Sequence, residues 1–469
     1  MLTQSQRPNI LFLMTDQHNA RCLGHRGHPD VKTPNIDALA ANGVCFDNAF
    51  CQNGVCVPSR VSYHTGMYLH SHGVFNGTLY NPIPSGLLSL PAYLKNFGYQ
   101  TACIGKKHLP GWGTVGYDYE RLCYCDDAPT RNLHYYNYLK SHNLHAYYDD
   151  LGDVEKFCLR EDGDTIPLKH SLETWTAREA NRYLDEVCDR QKPFFLHVSF
   201  ERPHPPLTVP KECDYGYESG KITLPANDRE VVQEEPIYFN RNVEMKWCKS
   251  VHGEKVLRQA LCCYYNLITL IDEKIGEILQ VLKKKNLFDD TLIIFCSDHG
   301  DYAGEYSKMA KGFCYDAIHR VPYIWRFGNK FASKIEEGLV QTIDMFPTLC
   351  DILNIPVPCQ VQGVSLKDVL LTPNVHSKQD RVFYEFVGVK TVRTKKFKLN
   401  YCIDSVEKGE LFDLEKDPYE YENVFNAKRY LGTRDMMVRY LLEWLITTQQ
   451  PDNYGKLNER YPKTRWFSM

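Results

Sequence analysis

An α/β fold is predicted for this chain of 469 residues: a large, mostly parallel sheet flanked by helices, with a smaller C-terminal antiparallel sheet plus helix. Three observations predict it. Continuous apolar runs at Asn9–Asp16, Tyr99–Gly105, Pro193–Phe200 and Asp290–Asp298 suit strands buried on both faces. Segments with helical spacing lie between them. Near Pro373 the texture changes to short strand-like runs. The expected division is 1–372 for the α/β domain and 373–469 for a C-terminal α+β subdomain and tail.

Composition bounds the function. At 43% hydrophobic and 24% charged residues with a net charge of −3, the chain has ample core and no dominant basic face. Nucleic acid is excluded as the main partner. No apolar run of about 18 residues occurs, so no membrane span is expected. Arg7-Pro8-Asn9 leads straight into a strand without a signal peptide, which makes the cytoplasm the expected location. The 18 cysteines lack zinc-site spacing; Cys123-x-Cys125 and the adjacent Cys262-Cys263 have no second pair. Apart from Cys56 they read as reduced structural thiols.

In chain order, the strand Asn9–Asp16 presents Asp16-Gln17-His18 at its carboxyl end, where open α/β sheets bind ligands. Thr33–Gly43 reads as a helix with Thr33 as N-cap, Pro34 in the first turn and a glycine stop. Ser89–Gly98 is a helix, and the strand after it delivers Lys106, Lys107 and His108 to a carboxyl end again. Residues 110–164, rich in Tyr, His and Asp, form a long excursion suited to a binding rim or a small surface subdomain. Leu172–Asp189 is helical, and the strand Pro193–Phe200 leads to His204. Lys211–Gly253 is irregular.

Glu254–Asn286 is the strongest helix, with Tyr264, Ile268, Ile271, Ile275, Ile278 and Leu282 as a stripe against the sheet. The strand Asp290–Asp298 then ends in Asp298-His299-Gly300-Asp301, and a fifth strand, Val321–Phe327, and a helix, Thr342–Leu353, follow. Arg381–Phe386, Lys390–Arg393, Lys396–Asn400 and Glu410–Asp413 make the small antiparallel sheet, closed by a helix over Lys428–Gln449. Its cations Lys390, Arg393, Lys395, Lys396 and Lys398 read as a solvent face. The tail from Pro451 to Met469 is a candidate cover for the pocket or a neighbouring subunit, and His70, His72 and Asn76 are candidates for the pocket rim or for structural roles.

The chain is organised around Asn53-Gly-Val-Cys56-Val-Pro-Ser-Arg60-Val-Ser-Tyr-His-Thr-Gly66, a cysteine at the mouth of a short helix. Pro58 suits the first turn and Gly66 the left-handed stop. Backbone N–H groups converge on Cys56, and Arg60 lies one turn along the same face. Buried small hydrophobe and thiolate nucleophile are both open readings of such a cysteine.

Four strand ends carry charged or ligand-type residues: Asp16-Gln17, Lys106–His108, His204 and Asp298-His299. Asp16, Gln17 and Asp298 offer hard oxygens and His299 a compatible nitrogen, a set suited to Ca²⁺, Mg²⁺ or Mn²⁺ rather than structural zinc. Lys106, Lys311 and Arg60 would carry the charge of an anionic substrate.

These landmarks, with Thr33-Pro-Asn-Ile-Asp37, Gly105-Lys-Lys-His-Leu109, Pro203-His-Pro-Pro206, Lys311-Gly-Phe-Cys-Tyr315, Arg320-Val-Pro322 and Glu410-Leu-Phe-Asp-Leu-Glu-Lys-Asp-Pro418, occur in one order. That order resembles the type I sulfatases of the alkaline phosphatase-like superfamily, over roughly residues 7 to 424. The resemblance implies hydrolysis of a sulfate ester, with Asp16, Gln17, Asp298 and His299 as ligands of one divalent metal ion, Ca²⁺ foremost, and Cys56 at the metal too. Many relatives have Asp where Gln17 stands, and some have Asn where His299 stands. It implies that Cys56 is oxidised to formylglycine by a maturation enzyme. The hydrated aldehyde then offers one hydroxyl to attack sulfur and a second to expel sulfate. His108 matches the base that deprotonates this second hydroxyl. Arg60 and Lys106 would hold the diol, and His204, as acid, and Lys311 would contact sulfate. The expected substrate is small and sulfated, possibly a sugar. Two alternatives are phosphonate monoester or phosphodiester hydrolysis by the same site, and a silent relative that binds sulfated glycans.

Overall fold

The computed structural model describes residues 7–75, 83–84, 86–109, 111–112, 115–124, 133–145, 166–228, 249–386, 388–402 and 409–448. The large sheet has eight strands: β1 (Asn9–Asp16), β2 (Val44–Phe50), β3 (Gln100–Lys106), β4 (Tyr119–Tyr124), β5 (Phe194–Pro203), β6 (Thr291–Ser297), β7 (Tyr323–Arg326) and β8 (Lys334–Gln341). They lie in the order β4-β3-β5-β1-β6-β7-β2-β8. All neighbours are parallel except the two pairs made by β7.

The four apolar runs are β1, β3, β5 and β6, and they are adjacent. In β1, Ile10 sits between Phe195 of β5 and Leu292 of β6. Parallel registry of this kind brings four carboxyl ends to one edge, as the sequence predicts. The fifth strand exists but runs antiparallel. β2, β4 and β8 escape the sequence reading: β8 is an edge strand whose first half, Lys334 to Glu337, has three charged residues and one apolar one.

The expected helices form, with one correction. Thr33 does not cap the Pro34–Ala41 helix. Its hydroxyl donates to Asp37 Oδ1 at 2.8 Å and accepts from the Gly24 amide. The cap comes from another helix: Asp272 accepts from the Asn35 and Ile36 amides at 3.1 and 2.8 Å. Asp272 lies on the Lys249–Lys284 helix, which breaks at Gly253 (φ 81°) and whose predicted stripe, Tyr264 to Leu282, is buried. Ile271, Ile275, Ile278 and Leu282 pack with Leu11, Leu13 and Phe295 of the sheet.

The second sheet, order β12-β11-β10-β9, consists of β9 (Arg381–Phe386), β10 (Val389–Thr394), β11 (Phe397–Cys402) and β12 (Glu410–Asp413), all antiparallel. Met437, Leu441 and Trp444 of the closing helix Leu431–Thr447 cover Val392, Leu399 and Leu411. The solvent-face reading holds for Lys396, which pairs with Glu415, and fails for Lys398 and Arg393. These two are cross-strand partners. Both are buried and reach Asp316 at 3.3 Å, and Lys398 also binds Glu420. They join the sheet to the loop before β7. The tail after residue 448, Asn76 and much of 110–164 lie outside the described residues. Fifteen cysteines are described, all free. No described helix is long and apolar enough to cross a membrane.

The cap can be tested. Burial, the largest effect, raises the Asp272 carboxyl to about 6 against the hydrogen bonds it accepts from Ile36 and Asn35. The folded chain therefore keeps this proton longer than the unfolded chain, and stability falls by on the order of 3 kcal/mol as pH rises from about 4 through 6. Asp272→Asn lacks that component, so its melting temperature gains on that of the wild type between pH 4 and 7. A constant difference across the range contradicts the argument.

Candidate active site

Cys56 opens the Cys56–Thr65 helix, all ten residues of which are buried. The chain enters it through Asn53, whose Oδ1 accepts from the Val55 amide at 2.7 Å and whose Nδ2 donates to the Glu385 carbonyl of β9 at 2.6 Å. Gly66 ends it in the left-handed region (φ 68°). Ser59 Oγ donates to the Asp298 carbonyl at 2.5 Å and Tyr63 OH to the Ser297 carbonyl at 2.9 Å, pinning the helix to the end of β6.

Asp16, Cys56, Asp298 and His299 each place one ligand atom within 4.8 Å of the others. That is the span of a coordination sphere with ligands at about 2.4 Å. Gln17 joins them differently. Its Nε2 donates to Asp301 Oδ2 at 2.6 Å, which fixes the amide, while its buried Oε1 has no hydrogen-bond partner. A buried acceptor left open beside two carboxylates fits a cation. His299 Nδ1 meets the Gly300 carbonyl at 2.9 Å, which assigns the proton to Nδ1 and leaves Nε2 free as a ligand. The residues thus fit the divalent ion that the resemblance implies.

Cations surround this group. Arg60 is fully buried: Nε donates to Asp298 Oδ2 at 2.8 Å, Nη2 to Asp16 Oδ2 at 3.3 Å, and Nη1 to the Lys106 carbonyl and Ser199 Oγ. These four bonds tie the guanidinium to both carboxylates and to the ends of β3 and β5. Lys106 Nζ lies 2.8 Å from Asp16 Oδ2. The neighbouring Gly105 (φ 93°) allows β5 to approach; a Cβ there would come within 2.0 Å of the Ser199 carbonyl oxygen. Lys311 Nζ donates to Cys56 Sγ at 2.9 Å and sits 3.1 Å from His299 Nε2.

These charges set the protonation states. Burial opposes ionisation of Asp16, but the cations Lys106, Lys311 and Arg60 together hold it well below the usual carboxylate range. Burial and Asp16 push the Cys56 thiol up; Lys311, Lys106 and a hydrogen bond with His108 outweigh them and lower it. His204 is kept neutral by burial and by Lys311 and Lys106. Its Nδ1 meets the Pro205 carbonyl at 2.7 Å, so Nε2 is the nitrogen left to exchange a proton.

All the predicted residues therefore converge: Asp16, Gln17, Cys56, Arg60, Lys106, Asp298, His299 and Lys311 through direct contacts, His108 through Cys56, and His204 through the field it shares with Asp16 and both lysines. The rim candidates His70 and His72 do not join them. His70 binds Glu385 and Thr448, and His72 binds Ser62. The sequence reading missed Ser199, Asp301 and Tyr264, whose hydroxyl donates to the Gln17 carbonyl at 2.7 Å. The polar Ser199 inside an apolar run was the available signal.

A buried group of candidate metal ligands flanked by Lys106 and Lys311 at the carboxyl edge of a mostly parallel sheet suits metal-assisted hydrolysis of an anionic ester. Residues 8–355 match the sulfatase family, and residues 304–446 match N-sulphoglucosamine sulphohydrolase, C-terminal. An arylsulfatase of Clostridium perfringens is 31% identical over 97% of this chain and 98% of its own. An N-acetylglucosamine-6-O-sulfatase of Bacteroides thetaiotaomicron is 26% identical over 94% of this chain and 86% of its own. The fold is shared with a phosphonate monoester hydrolase of Agrobacterium radiobacter, with a TM-score of 0.79, 24% identity, and 95% of this chain and 97% of that one covered. The chain belongs to the sulfatase family and is a sulfuric ester hydrolase.

Removing Arg60 leaves two buried carboxylates facing each other. Arg60→Met is expected to destabilise the chelator-treated protein by roughly 3–5 kcal/mol, with much of the loss restored by Ca²⁺. Thermal melts with and without chelator check this; a Ca²⁺-induced rise no larger in the variant than in the wild type counts against the role.

Proposed function

We propose that this enzyme removes sulfate from a small sugar sulfate through a formylglycine made from Cys56, assisted by one divalent ion, Ca²⁺ foremost, at Asp16, Gln17, Asp298 and His299. The supporting observation is the position of Cys56 Sγ: 2.9 Å from Lys311 Nζ, 3.2 Å from His299 Nε2 and 3.7 Å from Asp16 Oδ1. A sulfur there is a poor ligand for the hard cation that oxygen ligands suit, and conversion to a hydrated aldehyde replaces it with oxygen. Sγ thus stands in for a hydroxyl of the mature side chain. That side chain would supply a nucleophilic hydroxyl and a second one to expel sulfate; an ion held by Asp16, Gln17, Asp298 and His299 would supply Lewis acidity toward a sulfate oxygen and the nucleophile.

The chain's own residues do the rest. Arg60 keeps Asp16 and Asp298 ionised and oriented, and Asp301 keeps Gln17 Oε1 turned toward the ion. Lys106 and Lys311 neutralise the ester sulfate. His108, in contact with Cys56, takes the proton of the second hydroxyl. His204 serves the leaving alcohol from Nε2; the approaching anion offsets the two lysines that keep it neutral in the empty site. The glucosamine sulfatase relative and the second matching family support the sugar reading.

A maturation enzyme is the partner this chemistry requires. Peptide mass spectrometry across Cys56, on protein made with and without such an enzyme, tests it. Formylglycine shows as a loss of about 18 Da, whereas thiol oxidation adds mass. The loss should track sulfate release, and full activity with an unmodified thiol would sink the mechanism. Lys311→Ala is expected to lower kcat/KM on a sulfate monoester by about 10²–10³-fold.

A second reading, phosphonate monoester or phosphodiester hydrolysis, draws on neutral Gln17 in the ligand set and on the shared fold. Rates on both ester classes measured in parallel decide it, with the sulfate ester expected to be faster.

A further inference from the structure

A cavity of about 350 Å³ lies at the same edge of the sheet, walled by segments that follow β1 (Asn19, Arg21) and β6 (Ala303, Glu305). It is separated from the catalytic group by a hydrogen-bonded wall in which Asp301 binds Gln17 on one side and Asn19 on the other. None of the proposed catalytic or metal-binding residues lines it.

Three arginines line this space. Arg21 is paired with Glu305 at 3.0 Å and Arg26 with Asp47. Arg320 makes no side-chain hydrogen bond or ion pair among the described residues. The nearby carboxylates are already engaged: Glu305 accepts from Asn19, Arg21 and Asn227, and Asp316 from Lys398 and Arg393. Burial first, then the positive charge of Arg21, lower the Arg320 pKa to about 10 against the attraction of Asp316. An arginine held among like charges with its planar fork unused is a preformed receptor for an oxyanion.

In the same wall, Asn227 fixes Glu305: its Nδ2 is bound to Glu305 Oε2 at 2.7 Å. Tyr265, Tyr419 and Pro225 add flat apolar surface. The volume is that of a small-molecule site, larger than a bare oxyanion needs. We propose that this cavity is a second, non-catalytic site that binds an oxyanion through Arg320. Two sources share that chemistry: free sulfate, and the sulfate or carboxylate of a sugar residue.

Equilibrium binding tests this without reference to turnover, so its outcome is separate from that of the formylglycine mechanism. Calorimetric titration with inorganic sulfate should give two equivalents per wild-type chain and one in Arg320→Gln, the second site being weakened at least about tenfold. Ala226→Glu places a carboxylate at the exposed rim, leaves Arg320 intact and should have the same effect; it carries the test if the arginine variant fails to fold. Glucuronate, which has no sulfate ester to cleave, forms the second arm. Tighter binding of glucuronate than of sulfate, lost in the variants, identifies a hydroxylated organic anion; tighter sulfate identifies the free ion. One equivalent of sulfate in the wild type with no glucuronate bound, or no loss of either ligand in the variants, overturns the proposal.

Discussion

The site depends on one buried guanidinium. Asp16 and Asp298 end adjacent parallel strands, so the fold forces two carboxylates together where water cannot screen them. Arg60 lies between them and donates to both. Such a pair without its arginine would be driven to protonate, and protonated acids do not bind a hard cation. Because Arg60 also binds Lys106 and Ser199, one side chain ties β1, β3, β5 and β6 at the edge where chemistry occurs. Its place one helical turn from Cys56 then fixes the cysteine relative to both carboxylates.

How much of this was legible follows from the kind of signal each part carries. Strands buried on both faces announce themselves as apolar runs, and the residue ending each run is set by the same burial, so Asp16, Lys106 and Asp298 could be read directly. The edge strand β8 mixes charged and apolar residues, and β2 contains Asp47 and Asn48; neither is an uninterrupted apolar run. Thr33 looked like a cap because the local pattern is right, whereas the true cap, Asp272, lies 239 positions away in sequence. Long-range substitution of this sort leaves no local trace.

Charge was the least legible property. Lys398 and Arg393 resemble a solvent face in sequence, but they face the large sheet and meet Asp316 and Glu420 there. Arg60 was read as a substrate clamp, and the structure gives it the Asp16 and Asp298 carboxylates as partners. In both cases the residue type was right for an anion, and only the fold could say which anion. The second sheet also reaches the chemistry: the Glu385 carbonyl holds Asn53, three residues before Cys56, and the Glu385 amide donates to Gln52.

The complete burial of the Cys56–Thr65 helix has a consequence for how active molecules arise. On the formylglycine mechanism proposed above, an enzyme converting Cys56 would have to reach residues that the folded chain winds into a helix inside the core. Access would close when the core forms. Conversion and folding would then compete for the same nascent segment, and a chain that folded first would be stranded with its thiol. On this account the active fraction of a preparation records a race during synthesis, and slowing translation or folding should serve the enzyme better than adding more modifier afterwards.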